Sequence, residues 1–292
     1  MILRFLSMLS VIWLAASIAF FALRVLPGDA IEAQLAISGV SETQIEAQRD
    51  ALGLNDPVII QYGRYLAGLL RGDMGTSLIS RLPVKELIFS QLHHTVLLAL
   101  LTMFFGIVQA VPVGILAAQN SLIGQLARLI INLSLSMPVY WSATLVIILF
   151  SSWLGYSNSL ILPVSVLSFS VMGGMAQVIY ANIRQVKQAT FVWVARSKGL
   201  PEYWVQSKHI LRVALIPLVT VAALQTGFLL GGTVITEQIF VRPGIGRLLL
   251  DSTINQDYPV VQGIVVLSAV FYVLLNTVAD LLHRLLDPRL DW

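Results

Sequence analysis

Residues 191–217 carry aromatic and basic side chains in a pattern suited to binding rather than to covalent chemistry. The aromatic and cationic members of the segment are Phe191, Trp193, Arg196, Lys198, Tyr203, Trp204, Lys208 and Arg212. Such a mixture recognises either a partner protein or anionic lipid headgroups. Gly199 is expected to end one short helix, because a residue without Cβ accepts the left-handed turn, and Pro201 is expected to open the next helix.

Residues that could support catalysis or metal binding do not form complete sets. His93 and His94 are adjacent, so they are not expected to face one another on a helix, and a third metal ligand is lacking. The chain has no Gly-x-x-x-x-Gly-Lys-Ser/Thr phosphate loop, and Gly173-Gly174 lacks the serine-centred elbow of a hydrolase. We therefore predict no catalytic residue, no metal site and no cofactor, and we expect that the chain is not an enzyme.

The elements that position the 191–217 segment are predicted to be membrane-spanning helices. The chain is 57% hydrophobic and 11% charged, whereas soluble domains are about 25% charged. Its mean hydropathy is +0.83. The chain contains no cysteine, which excludes a disulfide framework and thiolate chemistry.

Stretches without Asp, Glu, Lys or Arg locate the spans. Four of them, residues 5–23, 87–127, 213–236 and 258–279, hold 19, 41, 24 and 22 residues. Each is long enough for one crossing, which takes about 20 residues of helix. The fifth, residues 129–183, holds 55 residues and has turn-forming residues at 155–159, so two helices fit there. The sequence thus predicts an all-α membrane protein with six transmembrane helices.

The distribution of Lys and Arg predicts the orientation. Residues 184–212 contain six basic residues and the single acid Glu202, and basic loops are held on the cytoplasmic side. Six spans then place both termini in the cytoplasm and residues 27–92 outside. We expect residues 1–92 to form the first transmembrane helix with an external segment, and residues 93–292 to form a five-helix core with the cytoplasmic loop 184–212.

Motifs along nearly the whole chain resemble one known family, the membrane-spanning permease subunits of ATP-driven (ABC) importers of the peptide and nickel class. The earlier matches are Leu26-Pro27-Gly28-Asp29, Leu52-Gly53-Leu54-x-Asp56-Pro57, Gln61-Tyr62, Gly72-Asp73-x-Gly75-Thr76-Ser77 and Ala195-Arg196-x-Lys198-Gly199-Leu200 with His209. The later ones are Gly231-Gly232-x-Val234-x-x-Glu237-x-x-Phe240-x-x-Pro243-Gly244-x-Gly246-Arg247, Asp257-Tyr258-Pro259 and Leu286-Asp287-Pro288-Arg289. So many motifs in one order make the resemblance specific.

The resemblance implies a type I ABC importer transmembrane domain of the dipeptide/oligopeptide permease B-type. The chain would form the translocation pathway for peptides, with a nickel or metal-chelate importer as the alternative. Its implied partners are a second homologous permease, two ATP-binding ATPase subunits that hydrolyse the ATP, an extracytoplasmic substrate-binding protein and membrane lipid, with no nucleic acid. The implied location is the bacterial cytoplasmic (inner) membrane.

Two segments receive roles from the resemblance. The helix near residues 187–199 would sit in a groove of an ATPase subunit, and the ATPase-coupling residues are expected to be Phe191, Ala195, Arg196, Lys198, Gly199, Leu200 and His209. The segment at the outer end of the fifth span would form an outer gate from Glu237, Phe240, Pro243, Gly244, Gly246 and Arg247. We expect a positive φ at Gly244 or Gly246, because glycine accepts unusual dihedrals.

Departures from the family pattern affect the fit to the ATPase. Phe191 stands where the family usually has Tyr, and Lys208 stands where Arg is common, so a bidentate pair is lost while the charge is kept. Val213 replaces a frequent Asn, and Pro201 replaces a polar cap.

Two rival functions belong to other classes. An ATPase-independent channel or secondary transporter would need coupling carboxylates at membrane depth, and an intramembrane enzyme would need a nucleophile with its base. No such carboxylate appears in spans two to five, and no nucleophile with a base is visible in the bundle. Polar residues at membrane depth would line a substrate route or hydrogen-bond between helices. They are Gln109, Asn132, Ser134, Ser136, Gln177, Gln225, Thr226 and Asn276.

Overall fold

The computed structural model describes residues 2–25, 50, 53, 55–154 and 160–286, and these fold almost entirely as helix. The first half holds α1 (Ile2–Val25), α2 (Val58–Leu70), α3 (Val84–Ala117), α4 (Leu122–Ser136) and α5 (Val139–Leu154). The second half holds α6 (Ile161–Val186), α7 (Thr190–Ser197), α8 (Glu202–Ala214), α9 (Ile216–Gly232), α10 (Val234–Ile239), α11 (Ile245–Ile254) and α12 (Tyr258–Leu286). The middle of α8, Val205–Leu211, is π-helical. Two compact units are formed, one from Met1–Thr95 with Pro243–Val273 and the other from Val96–Arg242 with Leu274–Trp292.

The first unit has a small apolar core around the start of α3. Val84 and Ile88 are fully buried there with Ile245, Val260 and Ile264. In the same unit α1 lies against α2, where the hydroxyls of Ser17 and Tyr62 are 2.7 Å apart and Arg24 donates to Gln61 at 2.7 Å. The division of the chain into residues 1–92 and 93–292 stays a prediction.

The loop before α3 explains one of the glycine motifs. Gly72 and Gly75 have φ of 75° and 80°, a region that only glycine enters at little cost. The Asp73 carboxylate accepts a hydrogen bond from the Gly75 backbone at 2.8 Å, as expected for an aspartate that closes a turn. Ser77 ends the motif and is buried, and its hydroxyl donates to the Asp257 carboxylate.

Helix α6 is central in the second unit. Met175, Ala176 and Ile179 are fully buried, and α6 packs against α3 at two glycines. A Cβ at Gly106 would lie 2.8 Å from Val171 Cγ2, and a Cβ at Gly114 would lie 2.7 Å from Ile179 Cβ. Glycine at the two sites therefore allows close approach of the helices, as in other membrane bundles.

Helix α4 packs on the other side of α6 through a serine and a glycine. Ser134 Oγ donates to the Phe169 carbonyl at 2.6 Å, and a Cβ at Gly173 would collide with Ser134 Oγ. Between α3 and α6, Gln109 Nε2 donates to Ser168 Oγ at 3.2 Å. Gln109 and Ser134 thus hydrogen-bond across helices.

The spans agree with the predicted architecture, except that one of them is broken. Four helices are long and apolar enough to cross a membrane, and two bent pairs bring the number to six if each counts as one span. The pair α4 and α5 bends by 104°, next to Pro138, where we had expected one helix. Proline removes a backbone donor and disfavours helix at the residue before it, and Met137 is accordingly extended with ψ of 118°. The expected turn at 155–159 lies outside the described residues.

Candidate functional site

The segment predicted to couple to an ATPase is a helix, a tight turn and a second helix. Helix α7 ends at Ser197, and Gly199 follows with φ of 75°, the left-handed conformation expected of it. Pro201 is the N-cap of α8, so it stands immediately before the helix that we expected it to open. Gly199 and Pro201, which the sequence analysis predicted to end one helix and open the next, therefore define the turn.

An ion pair closes this turn. Arg196 Nε and Nη2 donate to the two carboxylate oxygens of Glu202 at 3.1 and 2.8 Å, and Gln206 adds a contact of 3.3 Å. Hydrogen bonding to Arg196 lowers the pKa of Glu202, and the same contact raises the pKa of Arg196. Sequence reasoning missed this pair, because Arg196 was counted as a cation for docking and Glu202 as the isolated acid of the loop.

The exposed face of the turn is aromatic. Trp193 and Tyr203 are 62% and 77% exposed, and Phe191, Leu200 and Trp204 are exposed as well. We call these five residues with Val194 the aromatic face. On a surface in contact with water, a contiguous exposed apolar patch marks an interaction site.

The opposite face of α7 points into the second unit. Val192 and Ala195 are buried, so Ala195, predicted as a coupling residue, supports the helix from below rather than lining its surface. Lys198 is exposed, and His209 lies half-buried on the π-helical turn of α8. The ammonium of Lys208 lies 3.8 Å from the centre of the Trp204 ring, a cation–π distance.

Two cations anchor the neighbouring helix end. Lys187 Nζ donates to the Ala118 carbonyl at 3.1 Å, and Arg128 Nη1 donates to the Ala117 carbonyl at 2.6 Å. These carbonyls lie at the C-terminal end of α3, where backbone acceptors lack helical partners and favour positive charge. A cavity of about 240 Å³ lies between this end, α6 and α8, with Lys187 and Gln206 among its lining residues.

The predicted outer gate contributes Glu237 and Phe240 to the second unit. Glu237 is buried on α10, and Thr233 Oγ1 donates to its carboxylate at 2.8 Å. Phe240 is the C-cap of α10, with its N–H bonded to the Thr236 carbonyl at 3.0 Å. A buried carboxylate needs such donors, since its charge is otherwise expensive to bury.

The remaining gate residues belong to the first unit, and one expectation about them was wrong. Gly244 has φ of 171°, which is ordinary extended backbone, and Gly246 lies inside helix α11. The positive φ falls instead on Val241, at 50°. Pro243 is half-buried before the helix, and Arg247 Nε lies 3.7 Å from Asp251, one turn along α11.

A buried contact joins two motifs that the sequence analysis treated separately. Asp257 is buried and accepts hydrogen bonds from the Ser77 hydroxyl and, at 3.0 Å, from the Leu78 backbone. The two segments are 180 residues apart in the chain. Each motif supplies one partner of this hydrogen bond, and the pairing depends on tertiary packing that the sequence does not show.

Comparisons with known proteins agree with this architecture. The family model described as "Binding-protein-dependent transport system inner membrane component" matches residues 110–292. The nickel import system permease protein NikB of Staphylococcus aureus (strain bovine RF122 / ET3-1) is 31% identical over 297 residues, which cover 99% of this chain and 90% of that protein.

Two solved structures are similar in fold. A chain of the MetNI methionine ABC transporter in an inward-facing conformation has a TM-score of 0.62 at 20% identity, covering 69% of this chain and 96% of that one. A chain of an amino acid ABC transporter crystallised with histidines has a TM-score of 0.56 at 18% identity, covering 70% and 95%. The chain therefore belongs to the family of binding-protein-dependent transport system inner membrane components and is a permease subunit of an ABC importer.

Proposed function

We propose that this permease imports nickel, free or as a chelate, rather than peptides. The observation that carries the proposal is the likeness to a nickel import permease along 99% of the chain. The peptide alternative rests on motifs shared by the whole peptide and nickel class, so those motifs do not separate the two substrates.

The proposed complex contains two permeases, this chain and a homologous one, with two ATPase subunits and an extracytoplasmic binding protein. The ATPase subunits hydrolyse the ATP, because this chain has no phosphate loop. An ATPase subunit docks on the aromatic face, supported by its exposed tryptophans and by the Gly199 turn. Loop 184–212 and both termini lie in the cytoplasm, as its six basic residues favour.

Uptake of radioactive nickel and of a labelled dipeptide tests the substrate. A strain without nickel or peptide importers would express this chain with its neighbouring permease, ATPase subunits and binding protein. We expect nickel to accumulate, to require the ATPase subunits, and to be unaffected by excess dipeptide. Accumulation of the dipeptide without nickel would overturn the substrate proposal and leave the family membership intact.

A further inference from the structure

Two imidazoles lie together near the beginning of α3. The ring centroids of His93 and His94 are 3.7 Å apart with 41° between the ring planes. We had expected the two side chains to diverge, since adjacent helix positions are about 100° apart. The expectation was wrong because side-chain torsions can bring two rings together from neighbouring Cα atoms.

The helix under the imidazoles is held firmly. Val84 and Ile88 are fully buried in the core of the first unit. Val84 packs closely against Gly263 on α12, since a Cβ added to Gly263 would lie 2.8 Å from Val84 Cγ1. Directly after the histidines, the Thr95 hydroxyl accepts a hydrogen bond from the Ile245 backbone at 2.8 Å. Ile245 opens α11 between the predicted gate residues Gly244 and Gly246. A rigid helix tied to that segment is a suitable base for a binding site.

The length of α3 places the histidines at a membrane boundary. Its 34 residues span about 51 Å, whereas the hydrocarbon core is about 30 Å thick. The part of α3 after His94 is long enough to cross the core alone, since about 20 residues suffice. In the proposed orientation the two imidazoles therefore lie at the outer surface, where substrate arrives.

Imidazole chemistry suits the proposed cargo. Imidazole nitrogen is a good ligand for Ni²⁺, whereas oxygen ligands favour harder ions such as Mg²⁺ and Ca²⁺. No group of three His, Cys, Asp or Glu able to hold a metal occurs among the described residues, so the pair would supply two ligands while water or a chelator supplies the rest. A partial ligand set binds weakly enough to release the ion, as conduction requires.

We propose that His93 and His94 form a transient nickel contact at the outer entrance of the pathway. The proposal rests on nickel being the substrate. A peptide would gain nothing comparable from the pair, because it offers no metal ion to two imidazole nitrogens.

Cysteine protection tests the contact directly, because the chain has no cysteine of its own. The His93→Cys variant keeps two potential nickel ligands, a thiolate and the His94 imidazole. An impermeant maleimide should label this cysteine in the assembled complex, and nickel should slow the labelling. Ser90→Cys, also exposed on α3, is the matched control, and nickel should leave its labelling rate unchanged.

Transport kinetics give the second measurement. We expect the double variant His93→Gln with His94→Gln to raise the KM for nickel uptake about tenfold or more, by analogy with the effect of lost metal-site partners, while basal ATPase activity is kept. Lys85→Gln, an exposed change on α3, should leave the KM unchanged. This contact alone would be overturned if the wild type takes up nickel, the double variant has an unchanged KM, and nickel does not protect His93→Cys from labelling. Absence of nickel uptake by the wild type would overturn the substrate proposal and the contact together.

Discussion

At the residue scale, Gly199 tests whether the coupling turn needs its left-handed conformation. Its φ is 75°, and nothing lies within 4 Å of an added Cβ, so the effect of substitution is conformational rather than steric crowding. We expect Gly199→Val to destabilise the turn by about 1–2 kcal/mol, whereas Gly199→Asn is tolerated because asparagine enters this region more readily. Retention of ATPase subunits during purification is the measurement, with loss expected for Val alone.

If the Val and Asn variants retain ATPase subunits equally well, the left-handed turn is not needed for docking. Normal association of the two permeases in both variants is the control for folding, since the turn lies away from the core residues of α6.

The Arg196 and Glu202 pair allows a charge swap. Arg196→Glu places two carboxylates at the turn and should reduce nickel uptake, whereas Arg196→Glu with Glu202→Arg restores a pair across it. We expect the swap to recover at least part of the uptake, because the pair closes the turn through two hydrogen bonds. No recovery in the swap, with Glu202→Gln behaving like wild type, would mean that Arg196 acts through a partner subunit instead.

The pH dependence of this pair has a definite sign. Hydrogen bonding to Arg196 lowers the pKa of Glu202 below its usual 4.5, so the ionised form is favoured in the folded chain. The stabilisation is therefore present above pH 4.5 and is lost as pH falls through the lowered value. At neutral pH the pair stays charged, and its exposure keeps the contribution small.

At this scale, the sequence predicted the backbone roles of single residues better than the contacts between residues. Gly199 and Pro201 were found because their backbone preferences are local. The Arg196–Glu202 pair, the Asp257–Ser77 contact and the close approach of the two imidazoles were missed, since each depends on rotamers or on tertiary packing. Gly244 was assigned an unusual φ on its residue type alone, although glycine also adopts extended backbone.

At the element scale, neighbouring glycines on α6 provide a matched pair of substitutions. A Cβ at Gly173 would collide with Ser134 Oγ on α4, whereas a Cβ at Gly174 would lie 3.5 Å from its nearest neighbour, Gln225 Nε2. We expect Gly173→Ala to cost about 1–3 kcal/mol by overpacking and Gly174→Ala to be nearly neutral. Thermal unfolding of the purified complex measures both, and equal midpoints would contradict the close approach of α4 and α6.

The helices themselves were predictable to different degrees. Charge-free stretches located the spans because unpaired charges are excluded from hydrocarbon. Gly106 and Gly114 permit the close packing of α3 against α6. Pro138 indicates a kink, because proline removes a backbone hydrogen bond, but it does not predict the 104° angle, which depends on what α4 and α5 pack against.

At the scale of the whole molecule, one contact constrains the number of crossings. Lys187, just after α6, donates to the Ala118 carbonyl, just after α3, so these two connections lie at the same end of the second unit. The chain between them must cross the membrane an even number of times. If helix α6 makes one crossing, we expect the bent pair α4 and α5 to make the other rather than to form a re-entrant loop.

Cysteine labelling tests this count together with the orientation. We expect Asn120→Cys and Ser197→Cys to react with an impermeant thiol reagent only after the membrane is opened. In the proposed orientation Ser197 lies in the basic cytoplasmic loop 184–212, and Asn120 lies at the same end of the second unit. Ser80→Cys, in the predicted external segment, should react in intact cells. Ser80 and Ser197 are both exposed, so access to the reagent reports sidedness rather than burial.

The outcomes of the labelling separate two errors. If Asn120→Cys and Ser197→Cys both react outside and Ser80→Cys inside, the orientation is inverted but the six spans stand. If Asn120→Cys and Ser197→Cys react on opposite sides of the membrane, the pair α4 and α5 does not cross it. The contact between Lys187 and Ala118 could then not form, because the two residues would lie on opposite sides. Protection of Asn120→Cys and Ser197→Cys in intact cells, together with labelling of Ser80→Cys, would place the aromatic face on the cytoplasmic side, where an ATPase subunit can reach it.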